Sequence, residues 1–557
     1  MAFSIDLETG ASPDQAREWR EKGYWPGRLI TEYLDDHAQV MAQRSAFVDR
    51  RRHIGYAALQ AESYQLADAL HAEGVGAGSV VAIQLPNWIE FAVLHLALVR
   101  LGAITCLITP MSRRQEVAAM LRISKATWFV TADHFRNFDH LGMATQLLAE
   151  PALRGVRLVV VGDPGLVQSA LGYNVLLAAG RDDAASRKAI DTLRPSPDAV
   201  AEIVFTSGTT GDPKGVLHTH NTLMAPQLAM ATRLGLGCGA VLHMASTVAH
   251  QTGFLNGIRL PLQVGGTGVL QDVWTPENFM RLVQEHGIEV SSGSATFLLD
   301  LLRDPAMGRD DLSSLRLFRC GGGPIPETLV REAEERLPGL TVVRGWGQTE
   351  NGVVTMTHPA DPLELRTSSD GSVQPGMQIR IVDPHGRPVD VGGEGLLQVR
   401  GASMCVGYAN DPALLQASCT DGWFDTGDLA ILASNDCARG PTIRISGRVK
   451  DIIIRGGENI PVSYVENVLF EDPRILDVAI VGMPDIRLGE RACALVICRP
   501  GSSLDLPSMR KHLEAQGVAA QYWPERLEVV GDFPRTANGK VNKARLRAQL
   551  AERLNHA

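Results

Sequence analysis

A chain of 557 residues exceeds what one hydrophobic core can organise, so two or more domains are expected, and 45% hydrophobic with 21% charged residues is the make-up of a globular protein. The formal net charge of −9 excludes nonspecific attraction to nucleic acid or anionic membrane, so an anionic ligand must be held by local clusters of cations and N–H groups. The first residues carry early acids and no basic run leading into an apolar core; neither a secretory signal nor a transit peptide is read there, and cytoplasmic residence is the expectation. Eight cysteines without CxxC pairs suit reduced thiols and argue against a zinc site.

In chain order, residues 56–72 place Leu59, Leu66 and Leu70 near helical spacing with Gly74 just beyond, predicting an amphipathic helix. Residues 80–85 read as a buried strand. The stretch 91–108 is apolar and long enough to suggest a membrane span, but Arg100 and Gly102 interrupt it. The better parse is a buried helix from Asn87, as N-cap, to Leu101, then a strand over 103–108. Further short strands at 128–131 and 158–162 alternate with helical stretches, predicting an α/β sheet with covering helices.

From Gly371 the texture changes to short β-rich segments, 378–382 and 395–400 about a turn at 383–386, which reads as a smaller β subdomain over about 371–445. Past Gly447 comes another mixed stretch, with a helix from about Ser463, strands near 478–481 and 492–498, and a charged helix at the end. A boundary there divides a large N-terminal domain, 1–447, from a C-terminal one, 448–557.

The chemistry concentrates in five segments. Straight after the apolar run Ile203-Val204-Phe205 comes TSGTTGDPKG, residues 206–215. Gly208, Gly211 and Gly215 allow tight turns that expose backbone N–H groups, while Thr206, Ser207, Thr209 and Thr210 offer hydroxyls and Lys214 a cation. This is a grip for an anionic, oxygen-rich ligand. It is not a Walker loop, because Gly215-Val216 rather than Ser or Thr follows Lys214. The second segment, Gly345-Trp346-Gly347-Gln348-Thr349-Glu350, brings a flat aromatic for stacking on a base, a hydroxyl donor for a phosphate and a carboxylate for Mg²⁺. In the third, 421–428, Asp428 has two acceptor oxygens to offer ribose hydroxyls. The fourth runs from Gly447-Arg448-Val449-Lys450 to Gly456-Gly457, a short charged link that suits a hinge before glycines that admit a narrow ligand. The fifth places Lys540 at the tip of an Asn538-Gly539 turn.

In this order, over roughly residues 25 to 545, the five segments resemble those of the acyl-adenylate-forming superfamily, which includes acyl-CoA synthetases, aryl acid ligases, luciferases and peptide synthetase adenylation domains. The resemblance implies a mixed α/β fold: a large multi-sheet N-terminal domain with a β subdomain, plus a small mobile C-terminal lid. It implies that loop 206–215 holds the β- and γ-phosphates of ATP, that Thr349 meets the α-phosphate, and that Glu350, with Thr209, sits with Mg²⁺. Adenine is expected between the backbone of Gly321-Gly322-Gly323 and the segment of Trp346 and Gly347, and ribose at Asp428 and Arg448. Lys540 is expected to reach the reacting carboxylate and α-phosphate, Lys450 to be the lid hinge, and Gly456-Gly457 to line the path of coenzyme A.

The implied reaction is attack of a carboxylate on the α-phosphorus, release of pyrophosphate, then transfer of the acyl group to the CoA thiol. Partners are a small carboxylic acid, ATP and CoA, with no nucleic acid or membrane span, and a homodimer is allowed for. The acid subsite is expected at His250, Phe254, Ser294, Gly321 and Gly347, with His250 a wall or gate rather than a base, since carboxylates are already ionised near neutral pH. Relatives that use acetate carry Trp where Gly347 stands, which suggests a deeper pocket, and few charges nearby favour an apolar medium-chain or alicyclic (cyclohexanecarboxylate-type) acid. A benzoate- or salicylate-type CoA ligase, or a free-standing ligase serving a carrier protein, is the alternative. A luciferase-like oxygenase shares the motifs, whereas a non-turnover nucleotide binder is expected to lack Lys540.

Overall fold

In the computed structural model the apolar runs Val80–Gln84, Ile104–Leu107, Trp128–Ala132 and Arg157–Val161 become neighbouring strands, buried along almost their whole length. They pair in parallel, and continuous apolar runs are what a parallel sheet covered on both faces requires. The structure describes residues 12–165, 167, 170–206, 213–308, 311–323, 325–434, 439–455, 458–485, 487–535 and 541–555. The same sheet continues through Val200–Thr206, parallel to Ile104–Leu107, and then antiparallel through Lys214–Thr219 and Gly407–Ala409.

The expected helix forms as Tyr56–Ala72 with Leu59, Leu66 and Leu70 buried, and Gly74 beyond it takes φ +95°. The apolar stretch resolves into the helix Ile89–Arg100, a turn at Gly102 with φ +65°, and the strand Ile104–Leu107. Among the described residues no helix is long and apolar enough to cross a membrane. Arg100 is itself buried: its two terminal nitrogens donate to Asp35 at 2.6 and 3.2 Å and Nε to Ser63 Oγ at 2.9 Å.

One expectation fails here. The N-cap of that helix is Trp88, not Asn87, and the Ile89 N–H is instead satisfied by Asp49 Oδ2 at 2.8 Å. Asn87 is committed elsewhere, because its amide donates to Ser246 O and Gln271 O at 3.0 Å each while Oδ1 accepts from Val248 N at 2.8 Å. It thereby ties the first sheet to the end of a strand in the second.

That second sheet begins with a parallel run of neighbouring strands: Ser45–Val48, Thr267–Leu270, Val241–Met244, Val290–Gly293, Leu317–Gly321 and Thr341–Gln348. It continues without a break into antiparallel strands, through Gly352–Met356 and the two-residue Ser372–Val373 to Thr442–Arg448, Trp423–Ser434, Glu394–Gly401 and Met377–Val382. The β-rich stretch is thus an extension of the large sheet with its own apolar cluster, which includes Leu397, Val399, Phe424 and Ile443.

A third sheet joins Glu458–Ile460, Ile453–Arg455, Gly489–Cys498, Ile475–Asp485 and Arg526–Val529 over a separate core around Val465, Leu469, Ile480 and Val496. The helices Val462–Phe470 and Lys543–Asn555 accompany it, linked by the pair Lys543–Glu466 at 2.7 Å. The chain passes from the large sheet to this small one across residues 449–452, where Val449–Asp451 forms a single 3₁₀ turn.

Candidate active site

Parallel α/β sheets present ligands at the carboxyl ends of their strands, where loops leave and helices start. Four adjacent strands of the large sheet end in a row of candidate residues. Thr341–Gln348 leads to Thr349 and Glu350; its neighbour Leu317–Gly321 leads to Gly322 and Gly323; Val290–Gly293 leads to Ser294; and Val241–Met244 leads towards His250. Segments scattered along the sequence are thus gathered along one sheet edge.

The glycines between them have distinct reasons. A Cβ at Gly321 would stand 2.9 Å from Gly345 O in the adjacent strand, and Gly322 has φ +88°. At Gly323 a Cβ would meet nothing within 4 Å, so there the backbone borders open space. That cradle fits a flat heterocycle.

Asp428 is nearly inaccessible, in register with the exposed Arg448 on the next strand. Its Oδ2 accepts from Trp346 Nε1 at 2.9 Å and Gln348 Nε2 at 3.0 Å. Its Oδ1 lies 2.9 Å from Arg448 Nε as an ion pair, at an angle that leaves this buried oxygen without a hydrogen bond. An acceptor of this kind suits a vicinal diol. Trp346 is more enclosed than a stacking shelf would be: it packs in the apolar cluster with Val354 and Leu397, and its indole N–H serves to hold Asp428.

The phosphate-loop strands are bound to this edge. Thr206 and Lys214 face one another in register, closing the hairpin that the loop caps. Tyr408, opposite Val216, donates its hydroxyl to Glu350 Oε1 at 3.2 Å, and the Lys214 ammonium stands 6.0 Å from its ring. Burial pushes the Glu350 carboxyl above its ordinary range, against the opposing pull of Tyr408, Lys214 and Arg448. A cation placed there would reverse that shift. Among the described residues no group of three or more His, Cys, Asp or Glu forms a metal cage. The hard oxygen of Glu350 fits a Mg²⁺ ion.

Two acid-subsite expectations are corrected. Phe254 has no exposed surface and packs edge-on against Phe91 and His95, so it is core. At Gly347 a Cβ would stand 1.7 Å from Gly352 O across a bulged strand pair, so the glycine follows from backbone crowding and says nothing about pocket depth. Ser294 is the N-cap of Ala295–Arg303 with no side-chain bond to the cap, and His250 is half-buried before the short helix Gln251–Gly253.

Ser207, Gly208, Thr209, Thr210, Gly211, Gly456, Gly457 and Lys540 lie outside the described residues; Lys450 falls within the 3₁₀ turn Val449–Asp451. Sequence reasoning missed Tyr408, His218, Gln348 and the buried Glu202. Only Gln348 stood inside a recognised motif.

The AMP-binding enzyme model matches residues 34–409, and the AMP-binding enzyme C-terminal domain model matches residues 464–540. The chain belongs to the AMP-binding enzyme family. It is by class an AMP-forming acyl-CoA synthetase.

Among curated relatives of this AMP-binding enzyme, the medium-chain fatty-acid–CoA ligase of Escherichia coli is 34% identical over 96% of this chain and 93% of its own. A salicylyl-CoA synthase/salicylate adenylyltransferase from a Streptomyces species is 31% identical over 96% of each chain. The salicyl-AMP ligase/salicyl-S-ArCP synthetase of Mycobacterium tuberculosis is 32% identical over 96% of this chain and 93% of its own. Of solved structures, ATP-bound MatB from Rhodopseudomonas palustris superposes with TM-score 0.82 at 25% identity, covering 94% of this chain and 99% of that one. The anthranilate CoA ligase AuaEII with anthranoyl-AMP gives TM-score 0.83 at 23% identity, covering 94% and 98%, a likeness of fold.

Proposed function

We propose that this enzyme joins an apolar medium-chain or alicyclic carboxylic acid to coenzyme A through an acyl-adenylate. The observation that carries the reading is the row of strand ends from Glu350 past Gly323 to Ser294 and His250, with the Asp428 carboxylate held beside its first member. A nucleotide laid along it has its ribose at Asp428 and Arg448, its base over Gly321–Gly323, and its α-phosphate at Thr349. The acid then falls near Ser294 and His250.

The acid's carboxylate oxygen attacks the α-phosphorus while the bond to pyrophosphate breaks, so charge spreads over phosphate oxygens and no general base is needed. Lys214 and the loop N–H groups hold the leaving group, and Lys540 meets the developing charge. Mg²⁺ bound at Glu350 would neutralise phosphate charge during the transfer. In the second step the CoA thiol, losing its proton, bonds to the acyl carbon and AMP leaves with the electron pair.

The 34% identical medium-chain fatty-acid–CoA ligase supports an aliphatic acid, and the salicylyl-CoA synthase and salicyl-AMP ligase at 31–32% support an aromatic acid as the second reading. One of these, as a salicyl-S-ArCP synthetase, also keeps a carrier-protein acceptor in view. AMP formation measured with acids from acetate to decanoate, cyclohexanecarboxylate, benzoate and salicylate, with and without CoA, tests both halves. Medium-chain or alicyclic acids are expected to give the highest rates and CoA consumption equal to AMP formed; highest rates with benzoate or salicylate overturn the acid assignment, and AMP formation without CoA consumption overturns the acceptor.

A further inference from the structure

The strand Lys214–Thr219 leaves the phosphate loop and carries His218, which is almost fully buried and points across to the other sheet. His218 Nε2 lies 2.7 Å from the carbonyl oxygen of Thr349, and Nδ1 lies 3.1 Å from Thr222 Oγ1. A carbonyl only accepts, so Nε2 carries the proton and Nδ1 accepts from the Thr222 hydroxyl. Burial pushes the imidazole down to about 4, which keeps it in this neutral form at physiological pH.

The contact joins two pieces of chain that belong to different sheets. One piece ends the phosphate loop in the eight-stranded sheet; the other is the turn bearing Thr349 and Glu350 in the larger sheet. Neighbouring bonds reinforce the join: Cys405 N donates to Glu350 O at 2.7 Å, Val406 N donates to Leu217 O at 2.9 Å, and the Tyr408 hydroxyl reaches Glu350 Oε1. His218 is the member whose side chain takes hold of Thr349 itself.

We infer that His218 is a positioning residue: it sets the distance between the phosphate loop and the Thr349–Glu350 turn, and so between the leaving group and the phosphorus under attack. The inference rests on the adenylation reading, which places Thr349 at the α-phosphate. Adenylation needs both ends of the triphosphate held in line, whereas binding of either end alone tolerates slack. The effect therefore falls on turnover rather than on affinity. A displacement of about 1 Å between reacting groups can cost on the order of a hundredfold in rate.

The test is acid-dependent pyrophosphate exchange by the full-length enzyme, with kcat and the KM values for ATP and acid measured separately and the thermal midpoint recorded. His218→Leu and His218→Asn, which cannot reach the Thr349 carbonyl, are expected to lower kcat by up to about a hundredfold with both KM values little changed. His218→Gln places an amide N–H where Nε2–H stood and is expected to restore most of the rate. Should the His218 variants fold poorly, Thr222→Val, which removes the donor to Nδ1 together with the acceptor for the Thr219 N–H, is expected to lower kcat on the same KM pattern, with some fall in the thermal midpoint. Wild-type kcat in His218→Leu, a loss confined to KM, or His218→Gln as slow as His218→Leu at an unchanged thermal midpoint would overturn the inference, as would wild-type kcat in Thr222→Val. Absence of exchange in the wild-type enzyme would overturn the adenylation reading and this inference with it.

Discussion

Glu202 stands on the strand that feeds the phosphate loop, with no exposed surface. The Gln251 amide, with its nitrogen turned toward the carboxylate, donates to both Glu202 oxygens at 3.1 Å, and Arg259 acts on it electrostatically while donating to His95 Nε2 at 3.1 Å. Burial outweighs these partners and raises the Glu202 pKa to about 8. A carboxyl raised on folding binds its proton more tightly in the native state, so its contribution is fully present below the unfolded value and is lost as pH rises towards the folded one. Between about pH 5 and pH 8 the wild-type enzyme should therefore lose stability more steeply than Glu202→Gln, by up to about 1.4 kcal/mol per pH unit. Denaturant unfolding across that range checks this; parallel curves for the two proteins would contradict it. No sequence pattern announces Glu202, which sits in an apolar run and meets its amide partner only through the tertiary fold. Lys214 and Asp428 were legible because their motifs join unusual residue types at short spacing, whereas Tyr408 and His218 act across sheets from strands whose apolar texture conceals them.

At the scale of elements, the helix Tyr56–Ala72 could be read with its observed bounds because leucine spacing and a terminal glycine are local signals. Asn87 shows where local signals fail. An asparagine before an apolar helix reads as a cap, but three backbone groups from the neighbouring sheet outcompete the helix for its amide, and Asp49 takes over the free N–H. Removing it strands buried backbone groups at the strand ends of the second sheet, each at about 1–3 kcal/mol. Asn87→Ala is expected to shift the first unfolding transition by at least about 2 kcal/mol. Asn87→Asp should fare no better, because it points oxygens at the carbonyls of Ser246 and Gln271. An unchanged transition in both variants would show that the tie between the sheets carries no stability.

At the scale of the whole molecule, the proposed mechanism draws groups from segments tied to three sheets. The phosphate loop belongs to one, the turn with Thr349 and the Asp428 carboxylate to the second, and Lys540 falls in the stretch after the third. The five motifs revealed that these parts exist and in what order, but not that the β-rich stretch extends the large sheet, since strand pairing across distant segments leaves no local trace. On the proposed mechanism Lys540→Ala should slow acid-dependent pyrophosphate exchange at least about a hundredfold, the usual cost of losing one donor to developing charge. It should leave thioester formation from supplied acyl-adenylate and CoA far less affected, since that step breaks a different bond. Exchange at the wild-type rate would remove Lys540 from the mechanism.

The two oxygens of Asp428 divide their labour. Oδ2, bonded to Trp346 and Gln348, fastens an antiparallel strand to the parallel part of its sheet, in parallel with a join only two residues wide at Ser372–Val373. Oδ1, buried beside Arg448, is the oxygen that the proposed reading gives to the ribose. An asparagine could satisfy Oδ2's donors with its carbonyl and keep the fastening, but would then turn an N–H towards a guanidinium. Of the side chains of this size, a carboxylate alone accepts on both sides, so on the proposed reading the fold and the nucleotide impose the same choice on position 428 for independent reasons.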